Sequence, residues 1–158
     1  MATHLKNLSE YSPVNVADVS HKRFGIVVAE WNSEVTEALL SGATKTLQNY
    51  GAKTENIVIK RVAGSFELPL ASQWLAQRAD IDAVIAMGCI IQGETRHFDF
   101  IAQAVAEGIM QVGLKYNKPV IFGVLTTNNL EQALERAGGK HGNKGEEAAI
   151  TAIKMINF

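Results

Sequence analysis

The chain lacks several features that would mark out common activities. It has one cysteine, Cys89, which excludes an intrachain disulfide and any metal site built from several thiolates. Neither charge is in excess: fifteen Lys+Arg stand against sixteen Asp+Glu, a formal net charge of -1. Bulk electrostatics therefore draws it neither to nucleic acid nor to an anionic membrane, and an anionic ligand has to be held by a local site. The longest apolar stretch, Ala83 to Ile91, is too short to cross a bilayer as a helix. The start, Met1-Ala2-Thr3-His4-Leu5-Lys6, has no apolar run resembling a signal peptide, so the expectation is a cytoplasmic chain with no membrane partner. No GxGxxG and no GxxxxGK[ST] occurs, which removes the main support for a dinucleotide or P-loop site. His4, His21 and His141 have no carboxylate or cysteine at metal-ligand spacing, and no metal is expected.

What is present fits one compact domain: 158 residues, 47% hydrophobic and 20% charged, enough to bury a sizeable core and too apolar for disorder. Residues 1–20 mix Ser, Asn, Thr and Pro13 without a sustained period and read as an N-terminal arm, with residues 21–158 as the domain. From there two signals alternate. Phe24 to Ala29 is a short β-rich run suited to a strand buried on both faces. Asn32 or Ser33 can cap a helix whose apolar positions Val35, Leu39, Ala43 and Leu47 repeat every four residues, and Gly51 past Tyr50 stops it. Ile57-Val58-Ile59 leads to a helix from about Glu67 to Ala79, and Ala83 to Ile91 is a second long buried strand. A helix with Ile101, Val105, Ile109 and Val112 in one stripe follows, then a strand from Pro119 to Leu125. Asn128, with Glu131 three residues on, resembles a capping box opening a helix from Leu130 to Ala137. A last helix from about Lys144 carries Ala149, Ala152, Ile153 and Ile156. The alternation predicts an α/β fold with a parallel sheet covered by helices on both faces.

Ligands of open parallel sheets bind outside the carboxyl ends of the strands. That rule nominates Glu30-Trp31-Asn32, Ala63 to Glu67, Gly93 to Phe98 and Thr126 to Asn129, with a further polar cluster from Arg136 to Gly145. Gly93-Glu94-Thr95 precedes a helix whose N–H groups and dipole suit a phosphate, and His97 would stand beside that anion, able to move protons. Trp31 could stack on a planar heterocycle, and Ser65 and Glu67 suit a polyol. Each residue has a plainer reading too. The Gly93–Thr95 loop can be a capping loop with a solvated histidine, Trp31 simple packing, and Glu67 a favourable charge at a helix start. Arg136 can be a helix-end cation, Lys144 a surface lysine and Cys89 a small buried hydrophobe.

The whole set, in order, carries more than any member. Gly64-Ser65-Phe66-Glu67-Leu68-Pro69, then Gly88-Cys89-Ile90-Ile91-Gln92-Gly93-Glu94-Thr95-Arg96-His97-Phe98-Asp99, then Pro119 to Thr127, Glu131 to Gly138 and Gly142-Asn143-Lys144-Gly145 resemble the lumazine synthase family. The resemblance runs from about Phe24 to the C-terminus. It implies a three-layer, flavodoxin-like sandwich with a four-stranded parallel sheet. It also implies condensation of 5-amino-6-(D-ribitylamino)uracil with 3,4-dihydroxy-2-butanone 4-phosphate, with no metal or organic cofactor.

By the same resemblance, Trp31 looks like the aromatic that stacks on the pyrimidine, with Asn32 beside it. Ser65, Phe66 and Glu67 belong to the substrate-binding set, Ser65 and Glu67 on the ribityl chain, and Ile90 and Ile91 line the ring pocket. Glu94 and Thr95 match the phosphate loop and His97 the proton-transfer residue, while Gln92 and Arg96 occupy positions that vary. Phe122, Arg136 and Lys144 come in the family from the adjacent subunit of a pentameric ring, Arg136 binding the phosphate. The Gly138 to Gly142 turn resembles members whose pentamers pack into an icosahedral shell, and riboflavin synthase is a candidate partner. Two alternatives stand beside this: an archaeal-type riboflavin synthase on the same fold, whose substrate carries no phosphate, and a non-catalytic flavin-binding or shell-forming protein.

Overall fold

The computed structural model describes residues 18–158. Of the expected arm only Asp18, Val19 and Ser20 fall within that range, and Val19 is fully buried in the core; the rest of the arm lies outside the described residues.

The alternation becomes β1 (Phe24–Ala29), α1 (Ser33–Asn49), β2 (Ile57–Val62), α2 (Leu68–Ala76), β3 (Ala83–Ile91), α3 (His97–Tyr116), β4 (Val120–Thr127), α4 (Leu130–Leu134), a short hairpin of β5 (Ala137–Gly139) and β6 (Gly142–Asn143), and α5 (Lys144–Ile156). The main sheet is parallel, in the order β2-β1-β3-β4. β1 is buried along its whole length, as is β3 up to its last residue, which is why both read as unbroken apolar runs.

Successive residues of a strand face opposite sides, and the core divides accordingly. Phe24, Ile26, Val28, Ile85, Met87 and Cys89 face the layer of α1 and α5, meeting Leu39, Leu47, Ala149 and Ile153. Val27, Ala29, Val84 and Ala86 face the layer of α2 and α3, meeting Leu68, Leu75, Val105 and Ile109. The three-layer expectation holds.

Local boundaries differ where side chains intervene. The helix expected from Glu67 begins one residue later, at Leu68, and ends at Ala76, after a 3-10 turn over Ser65–Glu67. The Glu67 carboxylate accepts the Gly64 N–H at 2.9 Å, which tightens that turn. The helix expected to reach Ala137 stops at Leu134, because Ala137 pairs with Asn143 in the hairpin. Its capping pair is Asn129 and Gln132, one residue beyond Asn128 and Glu131: the Asn129 side chain accepts the Gln132 N–H at 2.9 Å, and the Gln132 side chain accepts the Asn128 N–H at 2.9 Å. Gly51 does end α1, at φ 98°.

Candidate active site

The chain leaves β1 toward β2 on one side and β3 toward β4 on the other, so the strand order reverses between β1 and β3. A parallel sheet opens a crevice at such a point, beyond the carboxyl ends of its strands. A cleft of about 370 Å³ occupies that position.

Three loops build its walls. The β1–α1 loop supplies Trp31, whose ring is 73% exposed, and Asn32. The turn after β2 supplies Ser65, Phe66 and Glu67, with Ser65 buried and Phe66 and Glu67 exposed. The end of β3 supplies Ile90 and Ile91, and the loop into α3 supplies Thr95 and His97. The Thr95 hydroxyl accepts the His97 N–H at 3.4 Å, which sets Thr95 just ahead of α3 and His97 at its first residue, where the helix dipole favours an anion. Aromatic and polar side chains mix in the lining: Trp31 and Phe66 are exposed, while the hydroxyl-bearing Ser65 is buried, as is Ile90. Glu94 is exposed on the same loop but outside the lining.

Two details of the wall depend on close fit. Ser65 can sit where it does because residue 88 is glycine: a Cβ there would lie 2.6 Å from the Ser65 Oγ and 2.9 Å from Leu68 Cδ1. Asn32 holds the helix-cap position of α1 without using its side chain as a cap; the amide instead donates to the Cys89 carbonyl at 2.8 Å. The Cys89 thiol is 2% exposed, and burial pushes its pKa up to about 11, so at neutral pH it is a protonated hydrophobe and not a nucleophile.

Phe122, Arg136 and Lys144 do not reach this cleft. They line a wide groove of about 1380 Å³ along β4, one of the two edge strands of the sheet. Arg136 Nη1 donates to the Gln132 carbonyl at 2.9 Å, and Lys144 pairs with Glu147 at the start of α5. Glu135 beside them is encircled by Lys140, Arg136 and His141, the last two at 3.8 and 3.7 Å. The hydrogen bond from Lys140, with these neighbouring charges, holds the Glu135 carboxyl below the usual glutamate value. Among the described residues, no group of three His, Cys, Asp or Glu side chains could hold a metal ion, and no helix is long and apolar enough to cross a membrane.

The family model for 6,7-dimethyl-8-ribityllumazine synthase matches residues 21–158. The chain belongs to this family. A 6,7-dimethyl-8-ribityllumazine synthase of Cytophaga hutchinsonii is 60% identical over 156 residues, covering 99% of this chain and 98% of the relative. One from Parabacteroides distasonis is 54% identical and one from Porphyromonas gingivalis 53%, each over 158 residues, covering all of this chain and 99% and 98% of those relatives.

The fold therefore brings together, in one chain of the lumazine synthase family, nine residues singled out in the sequence: Trp31, Asn32, Ser65, Phe66, Glu67, Ile90, Ile91, Thr95 and His97. It keeps Phe122, Arg136 and Lys144 apart from them. Phe98 and Ile101 also line the cleft. Phe98 closes the Gly93 to Phe98 segment that the strand-end rule nominates, whereas Ile101 reads in the sequence only as a member of the apolar stripe of α3, so core periodicity conceals its second surface.

Proposed function

We propose that this chain condenses 5-amino-6-(D-ribitylamino)uracil with 3,4-dihydroxy-2-butanone 4-phosphate to 6,7-dimethyl-8-ribityllumazine, releasing phosphate and water. It is a transferase of riboflavin biosynthesis. The observation that carries the reading is the gathering of Trp31, Ser65, Glu67, Thr95 and His97 around one crevice by three separate loops.

The chemistry asks for positioning more than for a reactive side chain. The substrate's aromatic amine is the nucleophile and attacks the ketone to give an imine with loss of water. Loss of the proton from the neighbouring hydroxyl-bearing carbon then expels phosphate, and the resulting enol ketonises at that carbon. The ribitylated nitrogen attacks the new carbonyl and closes the ring with loss of a second water. A neutral, buried Cys89 is no obstacle to such a route, because no protein nucleophile takes part.

Trp31 stacks on the pyrimidine, with Asn32 next to Trp31 in the β1–α1 loop, Phe66, Ile90 and Ile91 enclose the ring, and Ser65 and Glu67 bind the ribityl hydroxyls. Thr95 and the backbone at Glu94 meet the phosphate, and His97 moves protons. Phe122, Arg136 and Lys144 complete the site from a neighbouring copy, with Arg136 on the departing phosphate. The separation of those three from their own chain's cleft supports this, since an interface that joins one face to a different face of the next copy closes into a ring when its rotation divides the full turn. The assembly is a homopentamer. Packing of pentamers into an icosahedral shell and association with riboflavin synthase belong to the same reading, as does a cytoplasmic location.

The test is lumazine formation from the two purified substrates, followed by absorbance with the spontaneous rate subtracted. Saturable formation that needs the 4-phosphate is expected. A rate no faster than background from a folded ring would turn the reading to a non-catalytic flavin-binding protein.

A further inference from the structure

Outside glycine, two described residues have a positive φ: Asn117 at 46° and Asn32 at 58°. Asn117 is accounted for by its place at the end of α3, where the left-handed conformation terminates a helix and the following Lys118 N–H returns to the Gly113 carbonyl at 3.2 Å. Asn32 begins a helix, where that conformation is not the norm, and it stands in the cleft.

The surrounding bonds show what the conformation achieves. The Glu30 N–H donates to the Val62 carbonyl at 2.8 Å and the Trp31 N–H to the Ala63 carbonyl at 3.1 Å, so the chain runs extended beside the β2 loop as far as Trp31. At Asn32 it reverses, and the Asn32 carbonyl accepts the Val35 and Thr36 N–H groups that open α1. The register of β1 with β3 ends at Val28 and Met87. The Asn32 amide reaches the Cys89 carbonyl, two residues farther along β3, and so bridges the place where the strands part.

Few residues meet both demands. The left-handed conformation suits Gly, Asn and Asp best. Of these only Asn offers a side-chain donor to a carbonyl, because an ionised Asp only accepts and Gly has no side chain. Trp31 is thus held by a backbone bond at its own N–H and followed by a residue fixed in both backbone and side chain.

We infer that Asn32 is a positioning residue: by bracing the β1–β3 crevice it sets the angle at which the Trp31 ring meets the planar substrate, and it acts through Trp31. This rests on the stacking role of Trp31 proposed above. One N–H of the side-chain amide is engaged by the Cys89 carbonyl, and it is the loss of this bond that the ring of Trp31 would register.

The experiment uses the assembled full-length chain with Trp74→Phe, which leaves Trp31 the sole tryptophan, and adds Asn32→Gly or Asn32→Asp. Both substitutions tolerate the backbone conformation and both remove the donor, so either one suffices if the other fails to fold. KM for each substrate, kcat and the fluorescence anisotropy of Trp31 without ligand are measured. Expected in both variants are a KM for the ribitylaminouracil raised about threefold to tenfold, the scale of one lost neutral hydrogen bond, an unchanged KM for the phosphorylated ketone, and lower Trp31 anisotropy. A raised KM with unchanged anisotropy would mean that Asn32 touches substrate itself and would overturn the proposal. So would unaltered kinetics, or an equal loss for both substrates. Absence of lumazine formation by the Trp74→Phe parent would sink the functional reading instead, and the anisotropy would still decide whether the brace holds Trp31.

Discussion

The backbone N–H of Lys144 donates to the carbonyl of Arg136 at 2.9 Å. Two of the cationic residues lining the β4 groove are therefore fastened to each other across the β5–β6 hairpin. Asn143 fixes that hairpin in turn: its amide donates to the Ala38 carbonyl at 3.0 Å and its oxygen accepts the Gly145 N–H at 2.8 Å. Arg136 and Lys144 are thereby tied together through the hairpin, which suits the proposal that both are offered to a neighbour's substrate.

Removing Arg136 should act on the phosphorylated substrate. A charged hydrogen bond contributes about 1.5–3 kcal/mol, so Arg136→Ala is expected to raise KM for the 4-phosphate ketone at least about tenfold and to leave KM for the ribitylaminouracil little changed. Steady-state kinetics with each substrate varied in turn check this. An effect confined to the uracil substrate would refute the phosphate assignment.

His97→Ala is expected to lower kcat about 100-fold, near the low end for a general acid–base group. His97 and Arg136 lie in different clefts of one chain. Mixed assemblies of His97→Ala and Arg136→Ala chains should therefore regain activity, because about one site in four combines two intact halves under random head-to-tail mixing. Co-refolding the two variants and assaying against each alone makes the measurement. No recovery from well-formed mixed rings would place both residues in one subunit's site.

Gly145 marks the closest approach of α5 to α1. A Cβ there would lie 1.9 Å from the Leu39 carbonyl oxygen, a backbone atom that cannot yield cheaply. Gly145→Ala is expected to cost about 3 kcal/mol or more, at the upper end for overpacking. Gly93→Ala, with nothing within 4 Å, should stay within about 0.5 kcal/mol. Denaturant titration of both variants compares them.

Acid should loosen the hairpin first. The Glu135 carboxyl is held below its ordinary 4.5 by the Lys140 hydrogen bond and by the charges of Lys140, His141 and Arg136. A lowered folded-state pKa gives stability that is complete above the unfolded value, declines as pH falls below it and is gone below the folded value. Amide exchange at Ala137–Gly139 should therefore accelerate, relative to β3, once the pH drops beneath 4.5, and Lys140→Met should flatten that dependence. An identical pH response in the variant would remove Glu135 as the cause.

Legibility followed the physics of each element. β3 could be read from Ala83 to Ile91 to the residue, because burial on both faces leaves no polar interruption. The start of α5 at Lys144 was equally plain. The end of α4 was not, since Leu130 to Ala137 looks helical until the long-range pairing of Ala137 with Asn143 is known. In the site, the strand-end rule found the right loops, yet the side chain of Asn32 could have been a cap or a cross-strand bond, and no local pattern distinguishes them. Glu67 does stand at the start of α2, as its sequence position suggests, but its bond back to the Gly64 N–H has no signature in the sequence.

Cys89 carries a consequence of its own. The chain's only sulfhydryl is sealed inside β3 and held as the neutral thiol, so glutathione, peroxide and metal-catalysed oxidants find no thiolate to modify. Copies of the chain crowded together cannot be cross-linked through sulfur while folded. The folded protein therefore has no cysteine chemistry to offer, its oxidisable surface sulfur being the thioethers of Met110 and Met155, and a disulfide-linked species in an aged sample would report that a molecule had unfolded.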